Sequence, residues 1–120
     1  MKRISLALAG TALSLFAAQS LAGDAAAGKA VWEKVNCASC HGPDAKSPID
    51  PAYPILAGQH ADYLNHALMA YQRGAKGAPA SANVRKNAVM GAFATQLSKQ
   101  DIDNVSTWLS TLPGPLKVAP

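Results

Sequence analysis

Cysteine is scarce in this chain of 120 residues, which contains only Cys37 and Cys40. A disulfide between two residues this close would close too short a loop to constrain the unfolded chain much, so a disulfide-stapled fold is not expected. The basic residues form no stripe and are not interleaved with aromatic residues, which leaves nucleic-acid binding with little support. No segment sustains period-two alternation, so strands are not expected. The two thiols are therefore free for chemistry.

The first 22 residues have the pattern of a secretory signal peptide. Lys2 and Arg3 give a basic start, a mostly apolar run covers residues 4–18, and Ala22 ends a stretch that a signal peptidase can cleave. The run is shorter than the roughly 20 apolar residues that span a bilayer, which favours cleavage over retention as a membrane anchor. We therefore expect residues 1–22 to be removed and residues 23–120 to form one small domain. Cleavage would lower the formal net charge from +4 to +2.

The segment Cys37–His41 reads C-x-x-C-H, which is the attachment signature of a c-type haem. Two intervening residues allow both sulfurs to reach the two vinyl groups of one haem from a single turn of backbone. His41 would then lie under the iron, where its imidazole serves as the proximal ligand. The motif predicts covalent haem at Cys37 and Cys40.

The same cysteines are compatible with two other functions. A thioredoxin-like redox pair needs a βαβ setting, and the sequence shows none. A zinc site would need two further ligands, for which His60 and His66 are available. The interval between Cys40 and His60 exceeds the usual finger spacing of about 12–15 residues, so haem attachment is favoured.

Three segments have apolar residues at i, i+3, i+4 and i+7, the pattern of one helix face. Ser98 and Asp101, three apart, form a variant of the capping box at the start of the third. The rest is predicted to be loop, including residues 42–58 and 74–88, which a cofactor could order. The predicted helices run from after Asp24 to about Asn36, from near Gln59 to near Arg73-Gly74, and from Ser98 to Pro113.

A haem held by His41 needs a donor on its other face or leaves that position open. Met69 lies off the apolar stripe of the second predicted helix, and His60 and His66 have the character of solvated surface residues. Met90 lies in a predicted loop among small residues, which lets the backbone approach a cofactor closely. The alternative for Met90 is a flexible core filler. We favour Met90 as the second axial ligand, and His/Met ligation raises the reduction potential of haem.

An ordered set of motifs accompanies the C-x-x-C-H segment. The set comprises Gly28-x-x-x-Trp32, residues 37–42, Pro54-Ile-Leu56-Ala-Gly58-Gln59, Met90, and Leu97-Ser98 leading into a helix with Trp108. With this set the chain resembles the class I c-type cytochromes, most closely the small periplasmic monohaem kind, over nearly all of residues 24–112. It departs from them in lacking the proline often found just before the ligand methionine.

The resemblance implies an all-α domain of three main helices wrapped around one covalent haem. It implies that the Pro54 carbonyl accepts a hydrogen bond from the free N–H of His41, that Leu56 packs on the haem face, and that Met90 binds the iron. Gly28 would give room for the first and last helices to cross. The chain would be a periplasmic one-electron carrier between redox proteins, not an enzyme by itself, with no stable membrane insertion after signal cleavage.

Several assignments stay open at this point. Asn87 is a candidate hydrogen-bond donor near Met90, and Arg85, Lys86 and Tyr53 are candidates for the haem propionates. The role has two alternatives, a haem-bearing subunit of a periplasmic dehydrogenase or oxidase complex and, more distantly, a haem sensor with an open sixth site.

Overall fold

A computed structural model describes residues 23–117, which form helices joined by turns and loops without a β-strand. The prediction of an all-α domain with three main helices is confirmed, and two short helices are added to it. The predicted signal peptide lies outside the described residues. The helices are α1 (Ala25–Val35), α2 (Ala38–His41), α3 (Ala61–Ala75), α4 (Ala88–Ala94) and α5 (Lys99–Thr111), with a 3-10 turn at Ala80–Ala82.

Side-chain caps fix the starts of α1 and α5 where the sequence predicts them. The Asp24 carboxylate accepts a hydrogen bond from the Ala27 N–H at 2.9 Å. At α5 the Ser98 hydroxyl accepts from the Asp101 N–H, and the Asp101 carboxylate accepts from the Ser98 N–H, each at 3.0 Å. This reciprocal pair satisfies two of the donors that a helix start leaves unpaired. Asn36 ends α1 in the left-handed conformation, with φ of 59°.

The first and last helices cross closely at Gly28. A Cβ at this position would overlap the Asn104 carbonyl oxygen and lie 2.8 Å from the Cβ of Trp108. The rings of Trp32 and Trp108 pack beside the crossing with centroids 5.4 Å apart. The role inferred for Gly28 is therefore confirmed, since only glycine allows this approach.

Two expectations about helix boundaries need correction. α3 begins at Ala61 and continues through Gly74 to Ala75, so Gly74 is not its stop. A Cβ at Gly74 would overlap the Arg85 carbonyl oxygen, so this glycine allows the following loop to lie directly on the helix.

Met90 lies in α4 and not in a loop, because the Asn87 side chain accepts from the Met90 N–H at 2.9 Å and caps a short helix. Seven residues are too few for a helical period to show.

The buried core is formed mainly by residues of α1, α3 and α5, and most of these residues border a cavity. Five of its seven cluster members also line that cavity. The hydrophobic core is thus largely a cavity wall, and its centre is left for something other than a side chain. The five are Val31, Trp32, Leu64, Val105 and Leu109.

Within residues 23–117, none of the helices has the length and apolar character to cross a membrane.

Candidate haem-binding site

A cavity of about 410 Å³ opens between the helices and is lined mainly by apolar side chains. This size falls in the range of roughly 300–1,000 Å³ that is usual for sites of small organic ligands and cofactors. All six residues predicted to bind the cofactor are brought together in its wall: Cys37, Cys40, His41, Pro54, Leu56 and Met90. Their contact with a bound group stays a prediction.

The two cysteines lie at the junction of α1 and α2. The Cys37 N–H donates to the Trp32 carbonyl at 3.2 Å, and the His41 N–H donates to the Cys37 carbonyl at 3.1 Å. One tight turn therefore aims both thiols and the imidazole at the same cavity. Both thiols are free and half-buried. Burial, with the adjacent Cys40 adding to it, raises the pKa of the Cys37 thiol to about 11, so this thiol is protonated at neutral pH.

His41 is held in the form that binds a metal. Only 5% of it is exposed, and its Nδ1 lies 3.1 Å from the Pro54 carbonyl oxygen. A carbonyl only accepts, so Nδ1 carries the proton and Nε2 keeps its lone pair for a ligand bond. Burial lowers the pKa of His41, and the bond to Pro54 opposes that shift only in part. The imidazole is neutral at physiological pH, as metal ligation requires.

The loop over residues 42–58 carries Pro54 and Leu56 to the cavity. Its path depends on Ala45, which is fully buried in the left-handed region with φ of 58°. The Ala45 carbonyl accepts from the N–H groups of Leu56 and Ala57, at 2.9 and 3.0 Å. The loop is thereby folded back on itself, and Pro54 comes to lie beside His41. The Tyr53 ring packs edge-on to the His41 imidazole with centroids 6.1 Å apart.

Three contacts position α4 and its Met90 on the cavity wall. Asn87 caps the helix start with its side-chain oxygen, which leaves the amide N–H₂ group as a donor. The Gln72 side chain of α3 donates to the carbonyls of Ala94 and Leu97, at 2.8 and 2.9 Å, and ties down the end of α4. Gly91 faces Ala75 so closely that a Cβ would lie 3.2 Å from the alanine Cβ. Gln72 belongs to no motif, and in the sequence it is only one polar residue of an amphipathic helix, so its role could not be predicted.

The rival ligands lie away from this site. Met69 is half-buried and His60 and His66 are exposed, and none of the three lines the cavity. Across residues 23–117, no cluster of three or more His, Cys, Asp or Glu residues could hold a metal ion. The zinc alternative therefore has no site in this part of the chain.

The residues of the cavity fit a haem. The apolar wall suits a large flat aromatic body. Two thiols and an imidazole reach it from α2 and the residue before it, and a thioether reaches it from α4. Trp32, only 4% exposed, lines the same wall, and its buried indole N–H has no acceptor within residues 23–117. A buried donor without a partner costs roughly 1–3 kcal/mol, which a polar group on a cofactor would offset.

An all-helical domain with a C-x-x-C-H turn at the mouth of such a cavity has the architecture of a c-type cytochrome. A family model described as cytochrome c matches residues 25–113. The chain is 37% identical over 98 residues to cytochrome c-554(547) of Halothiobacillus neapolitanus, covering 76% of this chain and 99% of that protein. It is 34% identical over 119 residues to the "thiosulfate dehydrogenase electron acceptor" of Stutzerimonas stutzeri, covering 96% of this chain and 51% of that one.

A solved structure gives the same result. The structure of reduced recombinant cytochrome c4 from Pseudomonas stutzeri aligns with a TM-score of 0.66 at 35% identity, over 78% of this chain and 47% of that one. The chain therefore spans nearly all of one relative and about half the length of the other two proteins. It belongs to the cytochrome c family, and this membership implies covalently bound haem c with iron.

Proposed function

We propose that this protein is a periplasmic one-electron carrier with a single haem c. Cys37 and Cys40 form the two thioether links, and His41 and Met90 are the axial ligands. The observation that carries the proposal is that these four side chains line one cavity, although Met90 lies on α4 and the other three lie in and just before α2. Cys37 and Cys40 supply one attachment site in these 120 residues, which supports a single haem.

The ligand set favours electron transfer over bond-making chemistry. A haem with two protein ligands keeps no position for a substrate, and its geometry changes little between oxidation states. The thioether sulfur of Met90 favours Fe(II) and raises the reduction potential. The hydrogen bond that His41 donates to the Pro54 carbonyl fixes the orientation of the imidazole and raises its basicity as a ligand. Ser39, which lies between the two cysteines, is exposed, so the attachment turn reaches the surface and a haem edge bound there would be the exit for the electron.

The partners are redox proteins. The relative from Stutzerimonas stutzeri is named as the electron acceptor of a dehydrogenase, which supports a redox protein as the counterpart here. The same name supports the second candidate, a haem-bearing subunit of a dehydrogenase or oxidase complex. Co-purification with a catalytic protein through size-exclusion chromatography would favour that candidate, whereas a carrier elutes alone.

Axial ligation is tested with two methionine variants of the haem-loaded protein. The oxidised wild type should show the weak far-red band of a methionine sulfur bound to ferric iron. Met90→Ala should abolish this band and lower the reduction potential, because the soft ligand is lost. Met69→Ala is the matched control and should keep the band. Loss of the band in Met69→Ala alone would show that the ligand assignment is wrong, and carbon monoxide binding to the reduced wild type would favour the sensor alternative.

A further inference from the structure

The short helix α4, which carries Met90, has little of its own to hold it in place. It is seven residues long, whereas a helix needs about 12–15 residues to be even marginally stable alone. Its buried residues are the small Gly91 and Ala94, and Val89 is 53% exposed. The helix packs chiefly on α3. The position of Met90 therefore depends on a few contacts between α3 and α4.

Gln72 of α3 holds the end of α4. Its side-chain Nε2 donates to the Ala94 carbonyl at 2.8 Å and to the Leu97 carbonyl at 2.9 Å. An amide N–H₂ group has two hydrogens, so both are used. Ala94 is the last residue of α4 and is fully buried, so water does not reach its carbonyl. One side chain thus spans the end of α4 and the turn that follows it.

The other contacts of α4 do not fix its place on α3 in the same way. The Asn87 side chain accepts from the Met90 N–H, and this bond joins two residues of the same segment. It preserves the first turn but does not tie it to α3. Gly91 allows a close approach to Ala75 but buries little apolar area. Gln72 is the side chain that links α4 to α3 by hydrogen bonds.

Gln72 does not belong to the cavity wall, although the neighbouring Tyr71 does. Its influence on a bound haem therefore passes through α4. Met90 lies four residues before Ala94, about one helical turn from the carbonyl that Gln72 holds. A residue placed in this way can alter the iron ligand without altering the lining of the cavity.

We propose that Gln72 is a positioning residue for the sixth ligand: by holding the end of α4 on α3, it keeps Met90 on the haem iron and closes that position to external ligands. This inference rests on the proposed function, since it needs Met90 as an axial ligand. When Met90 leaves the iron, α4 moves and the two bonds of Gln72 break. Bonds that exist only in the Met90-bound form lower the fraction of molecules with an open position, and the apparent affinity for an external ligand falls with that fraction.

The test is a titration of the oxidised, haem-loaded protein with imidazole, followed by loss of the far-red band. Imidazole offers a nitrogen to the iron position that the Met90 sulfur leaves. Gln72→Met keeps the length of the side chain and removes both donors. The imidazole concentration at half-saturation should fall roughly ten- to a hundredfold, because two hydrogen bonds of the Met90-bound form are lost. If Gln72 only stabilised the fold, both liganded forms would be destabilised equally and this concentration would not change, which would overturn the proposal.

Gln100→Met is the matched control. Gln100 lies on α5, and its Nε2 donates to the Asn104 side chain of the same helix at 2.9 Å. The same substitution there removes a hydrogen bond without touching α4, so half-saturation should occur at the wild-type imidazole concentration. An equal decrease in both variants would show a general loss of stability and would also overturn the proposal.

A measurement on the wild type needs no substitution. Nuclear magnetic resonance should show the side-chain N–H protons of Gln72 exchanging slowly with solvent in the Met90-bound form and rapidly in the imidazole complex. Slow exchange in both forms would show that the two bonds survive the release of Met90, against the proposal.

The far-red band of the untreated wild type distinguishes the two possible failures. A wild type without the band has no bond from Met90 to iron, and the proposed function is then wrong. A wild type with the band, together with a Gln72→Met variant that binds imidazole at the wild-type concentration, contradicts the role of Gln72 alone.

Discussion

Ser106 is a buried residue of α5 whose hydroxyl has no hydrogen-bond partner within residues 23–117. The side chain is 1% exposed. An unsatisfied buried polar group costs roughly 1–3 kcal/mol, and removing it recovers part of that cost. Ser106→Ala should therefore stabilise the protein by about 1 kcal/mol, which raises the thermal midpoint by roughly 4–8 °C in a domain of this size. Thermal unfolding followed by circular dichroism measures the change.

The matched control for Ser106 is a second serine on the same helix. The Ser110 hydroxyl is half-buried and donates to the Thr107 carbonyl at 2.7 Å. Ser110→Ala removes a satisfied group, so the thermal midpoint should stay level or decrease. If both variants raise the midpoint equally, the gain comes from the helix propensity of alanine and not from the unpaired hydroxyl.

The sequence predicts the role of a residue that belongs to a spaced motif. It does not predict a role that depends on contacts between residues far apart in the chain. Cys37, Cys40 and His41 stand in a spacing that only a few sites use. The Pro54 position came from the family resemblance, and the structure places its carbonyl beside His41. The bond between Arg85 and Tyr63 joins residues 22 positions apart, and no local pattern indicates such a contact.

At the scale of helices, the start of α5 depends on a charged group. The Asp101 carboxylate accepts from the Ser98 N–H, and the pKa of Asp101 is lowered by that bond and by the Ser98 hydroxyl. A depressed carboxylate pKa contributes stability above the unfolded value, near 3.9, and this contribution is lost as the pH falls through the folded value. Asp101→Asn should therefore have a lower free energy of unfolding than the wild type at pH 7. This gap in unfolding free energy should narrow as the pH falls below about 4. Urea unfolding at a series of pH values measures the gap.

A second first-turn acid provides the comparison for Asp101. Asp62 lies in the first turn of α3, where the N-cap His60 makes no side-chain capping bond. Asp62→Asn should give a smaller gap at pH 7. A gap for Asp101→Asn that stays constant down to pH 3 would mean that the carboxylate charge is not what stabilises the start of α5.

The helices also show where periodicity stops being informative. α1, α3 and α5 are 11, 15 and 13 residues long, enough for an apolar face to repeat. α4 has seven residues, and its start depends on one side-chain bond from Asn87. A helix start without a following apolar repeat is indistinguishable from a loop in the sequence, so the sequence predicts a loop at Met90 where the structure has α4. The cavity nevertheless includes Met90.

At the scale of the whole molecule, the hydrophobic core and the cofactor site share most of their residues. Five of the seven residues of the buried cluster line the cavity, so within residues 23–117 most of that cluster packs around the cofactor site. A domain of about 100 residues buries only a limited share of its surface. A large apolar cofactor at its centre increases the apolar area that the helices bury. The sequence predicted which residues are apolar on each helix. It did not show that their common face encloses a cavity of about 410 Å³.

Removing the attachment points should therefore unfold more than the site. In the double variant Cys37→Ala/Cys40→Ala, expressed in a host that attaches haem, no thioether forms and the cavity is left without its covalent occupant. Apolar side chains such as Leu64 and Val105 then face water or collapse inward, and each large buried residue so exposed costs roughly 1.5–3 kcal/mol. We expect loss of cooperative thermal unfolding and of the near-ultraviolet circular dichroism of Trp32 and Trp108. The single variant Cys40→Ala, with at most one thioether, should fall between the double variant and the wild type. The opposite result would be a haem-free double variant that unfolds cooperatively at the wild-type midpoint. It would show that the helices form a complete core without haem, with α1 and α5 held together by their crossing at Gly28.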